Sequence, residues 1–160
     1  MVLNWQEPVP PWVSWGLGEL SQNIRRIPGP RHEQRIVEYF SHTDSGIKDD
    51  DAPYCSAALC CGMHEVGIGS LRGANARSWL NWGEACDFRL GSICVLWRVE
   101  PSSWQGHVGI ALQETDGFVK LLGANQRNGA WSVSTYSLDR LLGYRWPKGF
   151  DLGEYYGFGK

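Results

Sequence analysis

Cys55 stands in the run Asp-Asp-Ala-Pro-Tyr-Cys-Ser-Ala-Ala-Leu-Cys-Cys (Asp50 to Cys61), where a turn signal ends and a helix of small apolar residues is expected to begin. A helix start presents unpaired backbone N–H groups and the positive end of the macrodipole, so a thiolate there is stabilised and its pKa falls. Farther along, Gly-His-Val-Gly-Ile (Gly106 to Ile110) puts His107 at the start of an alternating, strand-like run. Asn125 follows in Leu-Leu-Gly-Ala-Asn-Gln, after the next expected strand. A thiol, an imidazole and a carboxamide supply a nucleophile, a base and an orienting group for acyl transfer. Gln126 is the adjacent candidate for the third place. Neighbours on a strand point to opposite faces, so only one of the two can hold the ring.

In this reading Cys55 and His107 rest as a thiolate–imidazolium pair, and Asn125 fixes the tautomer and orientation of the imidazole without adding a charge. A tetrahedral intermediate needs oxyanion donors, for which the backbone N–H of Cys55 is the first candidate. The second comes from the preceding loop or the Tyr54 side chain. Asp50 is a candidate either for capping the helix approach or for holding a substrate amine. Trp79 is a candidate substrate contact. His32, His42 and His64 read as surface or loop residues.

The remaining cysteines, Cys60, Cys61, Cys86 and Cys94, make an odd set of five with Cys55. Cys60, Cys61 and Cys94 read as small buried residues of a reducing compartment, while Cys86, past a helix end, is the one open to pairing in an oxidising space. Cys60 and His64 share a helix face, but no second pair completes a tetrahedral site, so neither a metal nor another cofactor is expected.

These residues need a scaffold, and the chain writes one with helices first and strands afterwards. Helices are expected over 11–21, 31–41 and 55–66, with a shorter helical piece over 76–82. Strands are expected over 93–99, 108–114, 117–123, 130–136 and 141–146. Such an order implies an α+β domain with N-terminal helices packed on an antiparallel sheet of about five strands. Asp116-Gly117 and Asn128-Gly129 are hairpin-turn signals. The expected organisation is an extended arm over 1–10, a catalytic domain over 11–147 and a Gly-rich tail over 148–160.

At 160 residues the chain suits one domain, and a net charge of −2 leaves no electrostatic footprint for nucleic acid. No stretch reads as a signal peptide or a membrane span, so a product made in the cytoplasm is expected, acting in the periplasm or cell wall after export, injection or lysis. Nine tryptophans are too many for the surface of such a domain, so most are core and a minority are free to line a groove.

The chain resembles the NlpC and CHAP group of papain-like peptidoglycan amidohydrolases and peptidases. The likeness is carried by Pro53-Tyr-Cys-Ser-Ala-Ala-Leu, Ala76 to Gly83, Gly106 to Gly109, Gly123 to Gln126 and Leu142 to Pro147, with the Pro11-Trp12 helix and Ile27-Pro-Gly-Pro in support. It implies a papain-like fold over roughly 11–147, with Cys55 as nucleophile, His107 as base and Asn125 as third member. Tyr54 and Ser56 depart from the Trp and Ala usual around the nucleophile, and Ser92 stands where Gly-Asp is common. The resemblance implies a hydrolase of an amide in peptidoglycan, either at N-acetylmuramoyl-L-alanine or within the stem peptide. Its role would be that of a phage lysin or an antibacterial effector, the latter with a secretion apparatus and a cognate immunity protein as partners. The alternative is a catalytically silent module that binds wall fragments or a partner protein.

Overall fold

A computed structural model describes residues 8–157; the first seven residues of the expected arm and the last three of the tail lie outside the described residues. The chain runs α1 (Pro11–Ser21), α2 (Gln34–Ser41), α3 (Cys55–Glu65), a 3₁₀ turn (Ala76–Asn81), β1 (Glu84–Cys86), β2 (Ile93–Trp97), β3 (Gly106–Thr115), β4 (Phe118–Gly123), β5 (Ser132–Ser137), β6 (Leu141–Trp146) and α4 (Leu152–Tyr155). All strand pairs are antiparallel in one sheet of order β1-β6-β2-β3-β4-β5. The helices-then-sheet α+β order is the one expected. The sixth strand, β1, is a three-residue edge that is too short and too polar to read from the sequence.

Local chemistry accounts for the boundaries. Pro10 precedes α1 and Pro11 opens it, a place where the missing N–H costs nothing. Helix α2 starts three residues later than expected because Glu33 is extended and its carboxylate caps the Arg35 N–H. Its stripe of Ile36, Tyr39 and Phe40 is buried. Helix α3 has no such stripe: every residue from Cys55 to Met63 is buried, as befits a helix enclosed on all sides. At Gly62 a Cβ would lie 2.5 Å from the Trp15 ring, so the close packing of α1 on α3 requires glycine there.

The sheet is covered on both faces. Ile93, Val95, Val108, Ile110 and Leu122 join the large core under α1 and α3. Cys94, Leu96, Ala111, Val119, Leu121 and Tyr144 form a smaller cluster, with Phe88 and Tyr136 packed against it. The β3–β4 hairpin turns at Asp116-Gly117, with Gly117 at φ +80°. Asn128-Gly129 does not make a two-residue hairpin. Both residues have positive φ, but they sit inside a 3₁₀ turn (Arg127–Gly129) within a longer connection from β4 to β5. Part of the expected tail is built in: Phe150 packs edge-on against Trp12 and Trp146, and the Tyr156 hydroxyl donates to the Val9 carbonyl.

Candidate active site

The N-terminus of α3 meets the sheet at the start of β3. Cys55 is the first residue of the helix, and its sulfur lies beside the His107 side chain and the backbone N–H groups of Val108 and Ser56, the groups that favour its thiolate. Burial alone would push this thiol up. The His107 hydrogen bond and charge, with the two backbone donors, outweigh burial and bring it below the ordinary cysteine value. His107 responds in the opposite sense. Burial disfavours its charged form, but the sulfur and Gln126 raise it above the ordinary imidazole value. Shifts in opposite directions describe an ion pair whose two titrations belong to the couple.

The other four thiols move the other way. Burial pushes Cys60 up to about 11 and also raises Cys61, Cys86 and Cys94. All five cysteines are free, Cys86 included.

The third member of the cluster is Gln126 rather than Asn125. His107 Nε2 lies 2.9 Å from Gln126 Oε1, and the Tyr136 hydroxyl donates to the same oxygen at 3.1 Å. The amide nitrogen of Gln126 donates to the Ser132 carbonyl at 2.8 Å, to Ser132 Oγ at 2.9 Å and to the Leu121 carbonyl at 3.3 Å. These acceptors fix which way the amide faces. Its oxygen therefore points at the imidazole, Nε2 must carry a hydrogen, and Nδ1 is left for the sulfur. Gly123 makes this possible, since a Cβ there would sit 2.6 Å from Gln126 Oε1. Asn125 turns away. It occupies the left-handed region at φ +56°, and its carbonyl oxygen accepts from the Arg26 guanidinium at 3.1 Å. The two residues lie past the end of β4, so strand alternation does not govern them.

Three other candidates from the sequence are placed in supporting positions. Tyr54 is fully buried, stacks on Tyr39 and donates its hydroxyl to the Gly129 carbonyl, which leaves it no proton for an oxyanion. Asp50 is fully buried and accepts from the Ile27 N–H at 2.7 Å and the Glu33 N–H at 3.0 Å, with His32 Nδ1 at 3.0 Å. Those bonds pin the loop before α2, and with His32 they hold its carboxyl below the usual range against the cost of burial, so it neither caps α3 nor faces a substrate. His32, in the loop before α2, is partly exposed and partnered by this carboxylate. Trp79 is fully buried behind the nucleophile; its indole N–H donates to Ser56 Oγ at 2.9 Å, and that hydroxyl donates to the Gly73 carbonyl at 2.6 Å. Ser56, a departure from the resembled pattern, is thus the link between α3 and the 3₁₀ turn.

Two clefts flank the Cys55–His107 pair. One, of about 570 Å³, is lined by His107, Gln126, Asn128, Tyr136 and the arginines Arg26, Arg98 and Arg140. The other, of about 280 Å³, is lined by Cys55, Ile47, Ala74, Ala76 and Trp104, and it shares Arg98 and Pro53 with the first. Among the described residues Trp104 is the most exposed indole, at 72%. The sequence marked no arginine for this site, because Arg26, Arg98 and Arg140 lie far apart in the chain and only the sheet and the loop before α2 gather them. Among the described residues, the one group with metal-ligand character is His32, Asp50 and Asp51.

No protein-family model matches the chain, and no curated protein matches it in sequence. Among solved structures it is similar to the wild-type endolysin LysIME-EF1, with a TM-score of 0.46 and 18% identity, over 75% of this chain and 66% of that one. It is also similar to a lipoprotein-like protein of the NLP/P60 family from Staphylococcus aureus subsp. aureus Mu50, with a TM-score of 0.42 and 13% identity, over 78% of this chain and 45% of that one. The chain thus spans less than two thirds of the length of either.

Proposed function

We propose that this chain is a cysteine hydrolase that cleaves an amide bond in peptidoglycan, with Cys55 as nucleophile, His107 as acid and base, and Gln126 as the residue that orients His107. The observation that carries the reading is the line from Cys55 through His107 to Gln126, along which the thiol is lowered and the imidazole beside it raised. The Cys55 thiolate attacks the amide carbonyl carbon, forming a C–S bond. The tetrahedral oxyanion is met by the Cys55 backbone N–H, which a helix start leaves without an intrahelical acceptor. As the C–N bond breaks, the leaving nitrogen takes the proton from His107. Water then attacks the thioester, gives a proton to His107 and releases the acid together with the regenerated thiolate.

Peptidoglycan as substrate is supported by the resembled motifs and by the pairing of a polar, basic cleft with one walled by an exposed tryptophan, since aromatic faces stack on sugar rings. No helix among the described residues is long and apolar enough to cross a membrane. The resembled motifs support a role as a lysin or an antibacterial effector, the latter with an immunity protein that plugs these clefts.

Isolated sacculi incubated with the protein and with a Cys55→Ala variant test the reading, the released fragments being identified by mass spectrometry. Release by the unaltered protein alone is expected, and the fragment masses identify the bond cut. Equal release by both proteins, or none by either on several wall types, overturns it.

A further inference from the structure

The two clefts are not equivalent with respect to the reaction. In amide cleavage by a thiolate, the proton that frees the amine comes from the imidazolium, so the leaving nitrogen must lie on the histidine side of the sulfur. His107 lines the larger cleft and not the smaller, whereas Cys55 lines the smaller and not the larger. The larger cleft is therefore where the amine-side fragment sits during the reaction, and the smaller takes the acyl side.

The larger cleft is also cationic. Arg26, Arg98 and Arg140 line it against a single carboxylate, Asp51. None of the three arginines forms an ion pair among the described residues, where the pairs are those of His32, Arg35 and Arg72. Arg26 is held by the backbone, through the Asp50 carbonyl at 2.6 Å and the Ala52 carbonyl at 3.3 Å. Arg140 is anchored at one nitrogen only. Its Nε donates to the Trp97 carbonyl at 3.0 Å, and its guanidinium lies 5.6 Å from the Tyr136 ring centre and 5.8 Å from that of Trp97, which leaves the terminal nitrogens as unanchored donors. Arg98 is exposed at the junction of the two clefts, and its charge opposes protonation of His107. An unneutralised cation beside an imidazolium lowers the fraction of His107 that carries the proton to be given. An anion on the substrate removes that penalty at the moment of binding.

Resting on the hydrolase reading above, we propose that the cleft beside His107 is the leaving-group subsite and takes an amine fragment that bears a free carboxylate, gripped by Arg98 and Arg140. A guanidinium fork matches a carboxylate in a bidentate fashion, and two such forks at one wall select an acidic peptide over its amide. The acyl side, against Ile47, Ala74 and Trp104, is mainly apolar, with Arg98 at its edge as the one charged lining residue.

The test is made without turnover. The Cys55→Ala protein is titrated by calorimetry with L-alanyl-D-glutamate, which offers a free amine and two carboxylates, and with the same dipeptide amidated at both. Tighter binding of the acid by about tenfold or more is expected, with the preference falling to within about twofold in Arg98→Gln/Arg140→Gln. Arg98 is exposed and free of any ion pair among the described residues, so Arg98→Gln carries the test alone should loss of Arg140 disturb Trp97. Equal binding of acid and amide, no binding of either, or a preference that survives both substitutions overturns the subsite. The hydrolase reading is judged separately on sacculi. Cleavage there without any acid preference removes the subsite alone, whereas an acid preference in a protein that cleaves nothing leaves an anion-binding cleft and removes the enzyme.

Discussion

Helix α3 carries a polar cluster at each end, and the two are built to opposite purposes. At its C-terminal end Glu65 receives both terminal nitrogens of Arg35, at 3.0 Å each, and the Trp15 indole N–H. Arg35 also grips the buried Glu19, to which the Tyr39 hydroxyl donates at 2.6 Å, and the Trp131 indole donates to Tyr39 in turn at 3.0 Å. This cluster ties α1, α2, α3 and the residue before β5 together. Every charge in it has a partner within the protein; the carboxylates, Glu19 first, hold Arg35 above its ordinary value, and Arg35 in turn holds Glu65 below its own. At the N-terminal end Cys55 and His107 are buried but open on two clefts, and their pKa shifts run toward each other. A closed network fixes a shape. An open one, in which the sulfur keeps a free direction, is prepared to react.

That contrast sets the largest expected effects. Cys55→Ala should lower kcat by about 10⁴-fold or more while the denaturant midpoint changes little, because the substitution removes a single sulfur atom at the wall of a cleft and keeps the Cβ that packs in the core. Arg35→Met should do the reverse. It strands Glu19 in the interior without its counter-charge, a loss on the order of 3–5 kcal/mol in stability, read as a lower urea midpoint at unchanged m-value. Specific activity per folded molecule should stay near that of the unaltered protein. If Arg35→Met lowered kcat with stability intact, the two ends of α3 would be coupled and the distinction drawn above would be wrong.

The intermediate effect belongs to Gln126. Its oxygen is a hydrogen-bond partner of a charged imidazole, and removing such a bond costs about 1.5–3 kcal/mol, so Gln126→Ala should lower kcat by about 10- to 100-fold. The pH profile gives a sharper reading. The reactive form has Cys55 deprotonated and His107 protonated, so activity falls on the acid side as the lowered thiol takes up its proton and on the alkaline side as the raised imidazole loses its own. A bell is expected in kcat/KM. Because Gln126 raises His107, Gln126→Ala should move the alkaline limb toward acid, and a limb that stays in place would mean that the amide holds only the ring's position. Iodoacetamide offers an independent check on the acid limb: Cys55 should label ahead of the other four thiols at mildly acidic pH, and preference for Cys86 would contradict the lowered thiol.

What the sequence revealed and what it hid divide along the same line. The α+β order, the span of α3 and the juxtaposition of Cys55 with His107 were legible because they rest on local signals: a turn before a run of small residues, a histidine opening an alternating segment, Asp-Gly between two strands. The third member was not. Asn125 and Gln126 were weighed by strand alternation, but the chain leaves β4 at Gly123, and a glycine without a Cβ lets the next-but-two side chain fold back toward β3. Asp50, Tyr54 and Trp79 have the polarity of substrate contacts, and only tertiary packing reveals that each is committed to a backbone or hydroxyl partner within the core. The basic wall was illegible for another reason, since its arginines come from three distant segments with no motif to join them.

The smallest expected effect separates the two neighbours directly. Asn125 sits at φ +56°, so Asn125→Ala would confound the loss of its amide with backbone strain, whereas Asn125→Gly removes the side chain from a conformation glycine tolerates. The amide oxygen of Asn125 steadies the Arg26 guanidinium, which two backbone carbonyls already hold, so most of the arginine's placement survives the loss of this one acceptor. Asn125→Gly should therefore raise KM by about two- to fivefold through a looser cleft wall, with the alkaline limb of the pH profile where the unaltered protein has it. A shift of that limb in Asn125→Gly, with none in Gln126→Ala, would return the orienting role to Asn125 and require the amide of Gln126 to leave His107 in the working enzyme.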